Sequence, residues 1–261
     1  MDENFQTYLN RAMRMTLPDT YRSQVQNIQE SPKFQWHPEK GLQATPFPGY
    51  TIVTPPGHED DPVNQPLYAE LEKFQKQILN HLGAHTFATV PLSSFHLTLA
   101  DLIWDSAYRH AAEDKEFGAK LRDRIASIFR DCELLSEGKP IRFQAISLMV
   151  MTRAVGICLA PTDEASYDRI LKFRRALYQN RDLIGLGIEQ QYYFTPHITL
   201  GYFGKLPPLE ERWELGNTFI ALNQQWLDGD PQEFYVQRAE LRQFEDMTVY
   251  RREPDWPTFK F

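Results

Sequence analysis

Two short stretches of this 261-residue chain share a pattern: FHLTL at residues 95–99 and PHITL at 196–200, each running His, aliphatic, Thr, Leu. Histidine titrates at about 6.5 when unperturbed, so its neutral and protonated forms coexist near neutrality. Two imidazoles facing one ligand can therefore divide a proton transfer. The neutral one accepts a proton from an attacking water, and the charged one donates to the departing oxygen. The neighbouring threonine hydroxyls can donate hydrogen bonds to the non-bridging oxygens of a phosphate, where charge gathers in the transition state. His96, Thr98, His197 and Thr199 are thus the candidate catalytic set for cleaving a phosphate ester, by a scheme that asks for no metal and no cofactor. One such histidine alone would more often be a structural residue; its recurrence at matching places in two similar chain segments points to a shared task.

Both stretches have the composition of buried β-strands, whose side chains alternate between faces. Strict alternation groups His96 with Thr98 and Ala100, and His197 with Thr199 and Gly201. The small side chains at Ala100 and Gly201 would then leave room for a ligand. Phe203 falls on the same face, where its ring could stack on a base or belong to the core. The elements around the motifs follow from periodicity. Helical stripes run through Leu67, Leu71, Phe74, Ile78 and Leu82, with Gly83 placed to end the helix. Others run through Phe117, Leu121, Ile125 and Ile128, and through Tyr167, Ile170, Leu171 and Leu177 behind an Asp163 cap. A fourth helix is expected from Pro207–Pro208 to about Trp226.

Strand-like runs at 50–55, 95–104, 141–152, 154–161, 196–203, 233–241 and 247–253 complete two strand–helix–strand–helix–strand units. The expected fold is α/β in the α+β sense: a bilobal, pseudo-twofold duplication with two mostly antiparallel sheets around a central cleft. Residues 1–49 form an N-terminal extension wrapped on the core, with one short amphipathic helix. Residues 50–152 form the first lobe and 153–261 the second.

Composition narrows the partners. The chain is 42% hydrophobic and 24% charged, with a formal net charge of -7. That balance excludes an extended nucleic-acid groove, which needs a dominating basic face, but leaves room for a small phosphate site. No apolar run approaches the roughly 20 residues that span a bilayer, and the N-terminus lacks a secretory h-region, so a cytoplasmic monomer without membrane contact is expected. Cys132 and Cys158 lie in apolar segments and read as reduced core thiols.

The paired motifs resemble the His-x-Thr signatures of the 2H phosphoesterase superfamily, which includes 2′-5′ RNA ligase-like proteins and cyclic phosphodiesterases. The resemblance covers roughly residues 46 to 252. The extension and the PFPGYTIVTPP segment resemble a bacterial branch described as a domain of unknown function. The resemblance implies a bilobal fold with His96 and Thr98 from one lobe and His197 and Thr199 from the other lining one cleft. It also implies a small nucleotide or RNA-end substrate: a 2′,3′-cyclic nucleotide, an RNA terminus or ADP-ribose cyclic phosphate.

Arg153 and the Tyr250, Arg251, Arg252 run are candidates for a second phosphate, against a reading as surface charge. His58, Glu59, Asp60 and Asp61 could hold a metal but read more simply as a polar loop, and His37 as an exposed extension residue or a flap. The functional expectation is a metal-independent cyclic phosphodiesterase in which the near-equivalence of the motifs hides which histidine is acid and which is base. One alternative is a nucleotide- or RNA-end-binding module without turnover. Another is a metal hydrolase, which would need a third ligand such as Asp101, a residue that alternation turns away from His96.

Overall fold

The computed structural model describes residues 3–57 and 61–261. The extension holds α1 (Phe5–Arg14), α2 (Pro18–Gln24) and a hairpin of β1 (Phe34–His37) and β2 (Gly41–Ala44), in place of the single helix expected. Asn4 caps α1 by accepting from the Thr7 amide. Tyr8 and Tyr21 are buried, and their phenols donate to the carbonyls of Leu159 and Leu148 at 2.8 and 2.6 Å. Buried hydroxyls satisfied by backbone on the main body tie the extension down.

The rest of the chain runs β3 (Gly49–Val53), α3 (Gln65–Leu82), β4 (Phe87–Thr89), β5 (Thr98–Trp104), α4 (Asp105–Ala111), α5 (Phe117–Asp131) and β6 (Ile141–Val150). It continues with β7 (Ala154–Pro161), α6 (Glu164–Tyr178), α7 (Arg181–Ile184), β8 (His197–Phe203), α8 (Arg212–Leu227), β9 (Gln232–Val236), β10 (Arg238–Asp246), β11 (Val249–Arg251) and β12 (Thr258–Lys260). The apolar stripes of α3, α5 and α6 are the faces buried against the sheets. Gly83 stops α3 at φ 79°, its amide bonded to Leu79. Asp163 caps α6 by accepting from Ser166.

Two five-stranded antiparallel sheets result. One is ordered β11-β10-β3-β5 with β12 also on β10, the other β4-β8-β7-β6-β9. The lobes expected at 50–152 and 153–261 do not coincide with them. β6, from the first segment, pairs with β7 and β9, while β10, from the second, pairs with β3. Each segment therefore gives strands to the other sheet, the first giving β4 and β6 and the second β10, β11 and β12. The cause is local: β6 and β7 are joined by a tight turn, with the Met151 amide bonded to Ala154, so pairing neighbours in sequence is the shortest connection. The run at 233–241 likewise breaks at Gln237 into β9 on one sheet and β10 on the other.

Candidate active site

The sheets meet at the motifs. An isolated antiparallel bridge joins Leu97 to Ile198. In its register His96 lies across from Thr199, and Thr98 from His197. Leu97 and Ile198 are fully buried, so the residues flanking them turn to the opposite side. All four motif side chains line one cleft of about 720 Å³, a volume suited to a nucleotide-sized ligand.

The two histidines are held alike. Nδ1 of His96 lies 2.7 Å from the Ser94 carbonyl, and Nδ1 of His197 lies 2.8 Å from the Thr195 carbonyl. A carbonyl can only accept, so each Nδ1 carries its hydrogen and each neutral ring keeps Nε2 as the free acceptor.

Their surroundings differ. Burial pulls the His96 pKa down to about 4 against the opposing bond to Ser94, and the charges of His197 and Arg242 push the same way. His197 is also lowered by burial, but the Asp101 carboxylate favours its charged form while Lys33 works against it. The Tyr250 ring stands edge-on to His96 with centroids 4.3 Å apart. Its backbone carbonyl accepts from Arg242 at 2.8 Å, and Arg242 is itself buried in an ion pair with Glu240 at 2.6 Å.

Two β-bulges overturn the strict alternation expected of the motif strands. Val53 pairs with Thr98 but Ile52 with Ala100, which leaves Leu99 as an extra residue on β5; Gly156 pairs with Thr199 but Val155 with Gly201, which leaves Leu200 extra on β8. Beyond each bulge the faces swap. Ala100 is fully buried in the core rather than under a ligand. Gly201 is small for packing: a Cβ there would stand 2.5 Å from both the Ala88 carbonyl oxygen and the Phe87 ring. Phe203 is a core aromatic, packed edge-on to Phe219. The residues that enter the cleft instead are Asp101 and Tyr202. The orientation argument against Asp101 as a neighbour of His96 therefore fails, although no cluster of three metal-ligating side chains occurs among the described residues.

At each bulge the carbonyl of the extra leucine accepts from a buried polar side chain of a helix distant in sequence. Arg174 of α6 donates to the Leu99 carbonyl, and Gln75 of α3 donates to that of Leu200 at 2.7 Å. Tyr178 of α6 adds a bond to the Asp101 carbonyl at 2.8 Å. These contacts account for a buried arginine and a buried glutamine in otherwise apolar helix faces.

Among the other sequence candidates, Arg153 and Tyr250 line the cleft. Arg252 does not: it donates to the Trp256 carbonyl at 3.0 Å, held by the C-terminal segment it belongs to, and Arg251 pairs with Glu245 on the surface. His37 is exposed on β1. Asp61 is buried and accepts from Asn64 and Tyr68, a structural brace; His58, Glu59 and Asp60 lie outside the described residues. Besides Asp101 and Tyr202, the lining residues that sequence reasoning passed over include Gln29, Lys33 and Phe47 from the extension and Tyr50, Tyr192 and Phe244 from the main body. No periodicity marks the extension residues, because the segment that carries them is irregular and proline-punctuated.

Residues 35–130 match the 2H-phosphodiest family model, described as a domain of unknown function, DUF1868. Among solved structures, the conserved protein of unknown function ATU0111 from Agrobacterium tumefaciens str. C58 aligns with a TM-score of 0.53 at 15% identity, covering 85% of this chain and 90% of that one. TT0787 of Thermus thermophilus aligns at 0.42 and 14% identity, over 81% of this chain and 96% of that one. E. coli LigT complexed with 3′-AMP aligns at 0.39 and 15%, with the same coverage of 81% and 96%. No curated protein matches in sequence. At these identities the likeness to ATU0111 speaks for the fold alone, and the match to the 2H-phosphodiest family model extends over residues 35–130, the part of the chain that carries the first motif.

Proposed function

We propose that this protein is a 2H-type phosphoesterase that opens a small cyclic phosphodiester, such as a 2′,3′-cyclic nucleotide, a cyclic RNA end or ADP-ribose cyclic phosphate, to a phosphomonoester. The observation that carries this is the pair of imidazoles on one cleft, each with its Nδ1–H committed to a backbone carbonyl and Nε2 left for the ligand. The family match supports phosphoester chemistry. His96, kept neutral by burial and by the nearby Arg242 charge, is the base: Nε2 takes a proton from water as its oxygen bonds to phosphorus. His197, whose charged form Asp101 favours, is the acid: it gives its Nε2 proton to the ring oxygen as that P–O bond breaks. Thr98 and Thr199 donate to the non-bridging oxygens. Exchange of one proton with solvent resets the pair. The chemistry needs no metal, and we place the protein in the cytoplasm as a monomer, where its two buried cysteines remain free thiols.

The test is a panel of 2′,3′-cyclic nucleotides, cyclic-phosphate-ended oligonucleotides and ADP-ribose cyclic phosphate, with product identified by phosphorus NMR. Conversion of at least one to a monoester is expected. Tight binding across the panel with no product would instead favour a binding module.

A further inference from the structure

A cationic group enters the cleft from the N-terminal extension. The amide of Gln29 donates to the Thr152 carbonyl at 2.7 Å, and that of Ser31 to the Phe203 carbonyl at 2.8 Å. These bonds lay residues 29–33 across the open end of the cleft, and the Phe47 amide, bonded to Glu245 at 2.8 Å, fastens the return of the chain to the other sheet. Lys33 is thereby set with its ammonium over the rings of Phe47 and Tyr202, at 4.5 and 5.2 Å from their centroids. Nζ makes no hydrogen bond or ion pair among the described residues, although the side chain is half-buried and lines the cleft.

Withdrawing an ammonium from water without an acceptor is costly, and aromatic faces restore only part of its hydration. Burial accordingly pulls the Lys33 pKa down to about 8, with Asp101 opposing and Arg153 adding to the fall. Arg153 stands at the rim, one Nη donating to the Gln29 side chain at 2.9 Å. A guanidinium has five donors in a planar fork, so this bond leaves others for a ligand. Lys33 packs on Tyr202, the next cleft-facing position after Thr199. Tyr202 lies three residues beyond Thr199, across the bulge at Leu200, so the ammonium stands farther along the cleft than the oxygens of one phosphate held at Thr199 would reach.

We propose that Lys33 and Arg153 form a second anion subsite, built by the N-terminal extension, that binds a phosphate of the substrate other than the one held between the two histidines. This rests on the phosphoesterase reading and deepens it, since the substrate class becomes a nucleotide-sized ester with two or more phosphate groups. The subsite supplies an ammonium with three donors and a guanidinium fork, both suited to phosphate oxygens. It also gives an otherwise acidic chain, of net charge -7, a local positive end to its cleft.

The test is calorimetric binding of adenosine 3′-phosphate and adenosine 3′,5′-bisphosphate to the full chain. Wild type should prefer the bisphosphate by about tenfold or more, the size expected of a charge-assisted contact. The preference should vanish in Lys33→Met, survive in Lys33→Arg and shrink in Arg153→Met, whose exposed side chain can be removed without disturbing the fold. Thermal melting checks that each variant is folded. Equal affinities in wild type, or a preference that persists in both methionine variants, would overturn the subsite. Turnover of cyclic esters combined with equal affinities would leave the catalytic proposal standing and remove only this one. A bisphosphate preference without any turnover would do the reverse.

Discussion

The strands β5 and β8 carry the same motif and make the same backbone moves, yet their chemistry is set by unlike neighbours. Each holds its histidine by Nδ1 to the carbonyl two residues earlier, each bulges at the leucine after the threonine, and at each the leucine carbonyl accepts from a buried polar side chain on a helix of the other chain segment. Past the bulge the likeness ends. β5 brings a carboxylate, Asp101, into the cleft, and β8 brings a phenol, Tyr202. His96 sits under Tyr250 within the field of Arg242, whereas His197 feels Asp101 and Lys33. Duplication thus sets the geometry of the pair, and the residues that are not duplicated set the protonation states. Equal placement with unequal charge is what an acid and a base acting on one bond require.

The sharpest way to break the comparison is to remove either imidazole. His96→Ala and His197→Ala should each lower kcat by about 10² to 10⁴ fold, with the double variant hardly below the weaker single, because the two act as a unit. Steady-state kinetics that leave either single variant fully active would end the pairing.

The next effect concerns the bulges. Arg174→Met takes a buried donor from the Leu99 carbonyl and Gln75→Met takes one from the Val90 and Leu200 carbonyls, and each should cost about 1–3 kcal/mol of stability in urea unfolding. A loss in one variant and none in the other would show that the two bulges are not held by the same device.

A smaller shift tests the asymmetry itself. With both histidines lowered by burial, kcat/KM should be bell-shaped with its maximum on the acid side of the ordinary histidine range. Asp101 favours the charged form of His197, so Asp101→Asn should lower the His197 pKa further. The acid form is then lost at lower pH, and the alkaline limb moves acidward. The acidic limb, which reports His96, should stay, and Tyr202→Phe should move neither limb. Movement of the acidic limb alone would reverse the assignment of base and acid. The smallest expected effect is none at all: incubation with EDTA should leave turnover unchanged, and loss restored by a divalent ion would instead favour a metal-dependent reaction.

Much of the frame is readable from residues alone. The stripes of α3, α5 and α6, the Gly83 stop and the Asp163 cap are local signals, because a helix is decided by contacts three and four residues apart. The two motifs are readable for the same reason, as contiguous runs whose residue types suit one chemistry. The faces beyond the motifs are not readable. Thr-Leu-Ala-Asp and Thr-Leu-Gly-Tyr both look like plain alternation, and the small residues in them look like room for a ligand. They are small because, one step past a bulge, they turn into the packed side of the sheet. The short strands β4 and β12 carry too few residues to show a period.

The sequence by itself determined the long helices α3, α5, α6 and α8 and the paired His-x-Thr motifs, because each of those is written in neighbouring residues, whereas the short α2, α4 and α7 carry too few residues to show a period. Tertiary structure decided the exchange of β6 and β10 between sheets, the entry of Asp101 and Tyr202 into the cleft, and the arrival of Lys33 from the extension. The bulge on β5 is held by a side chain 75 residues away and the one on β8 by a side chain 125 residues away. Such bonds leave no periodic trace in the chain. They form only when folding brings a distant helix against a buried backbone carbonyl, and this distant satisfaction of backbone groups holds the bulges that turn Asp101 and Tyr202 into the cleft.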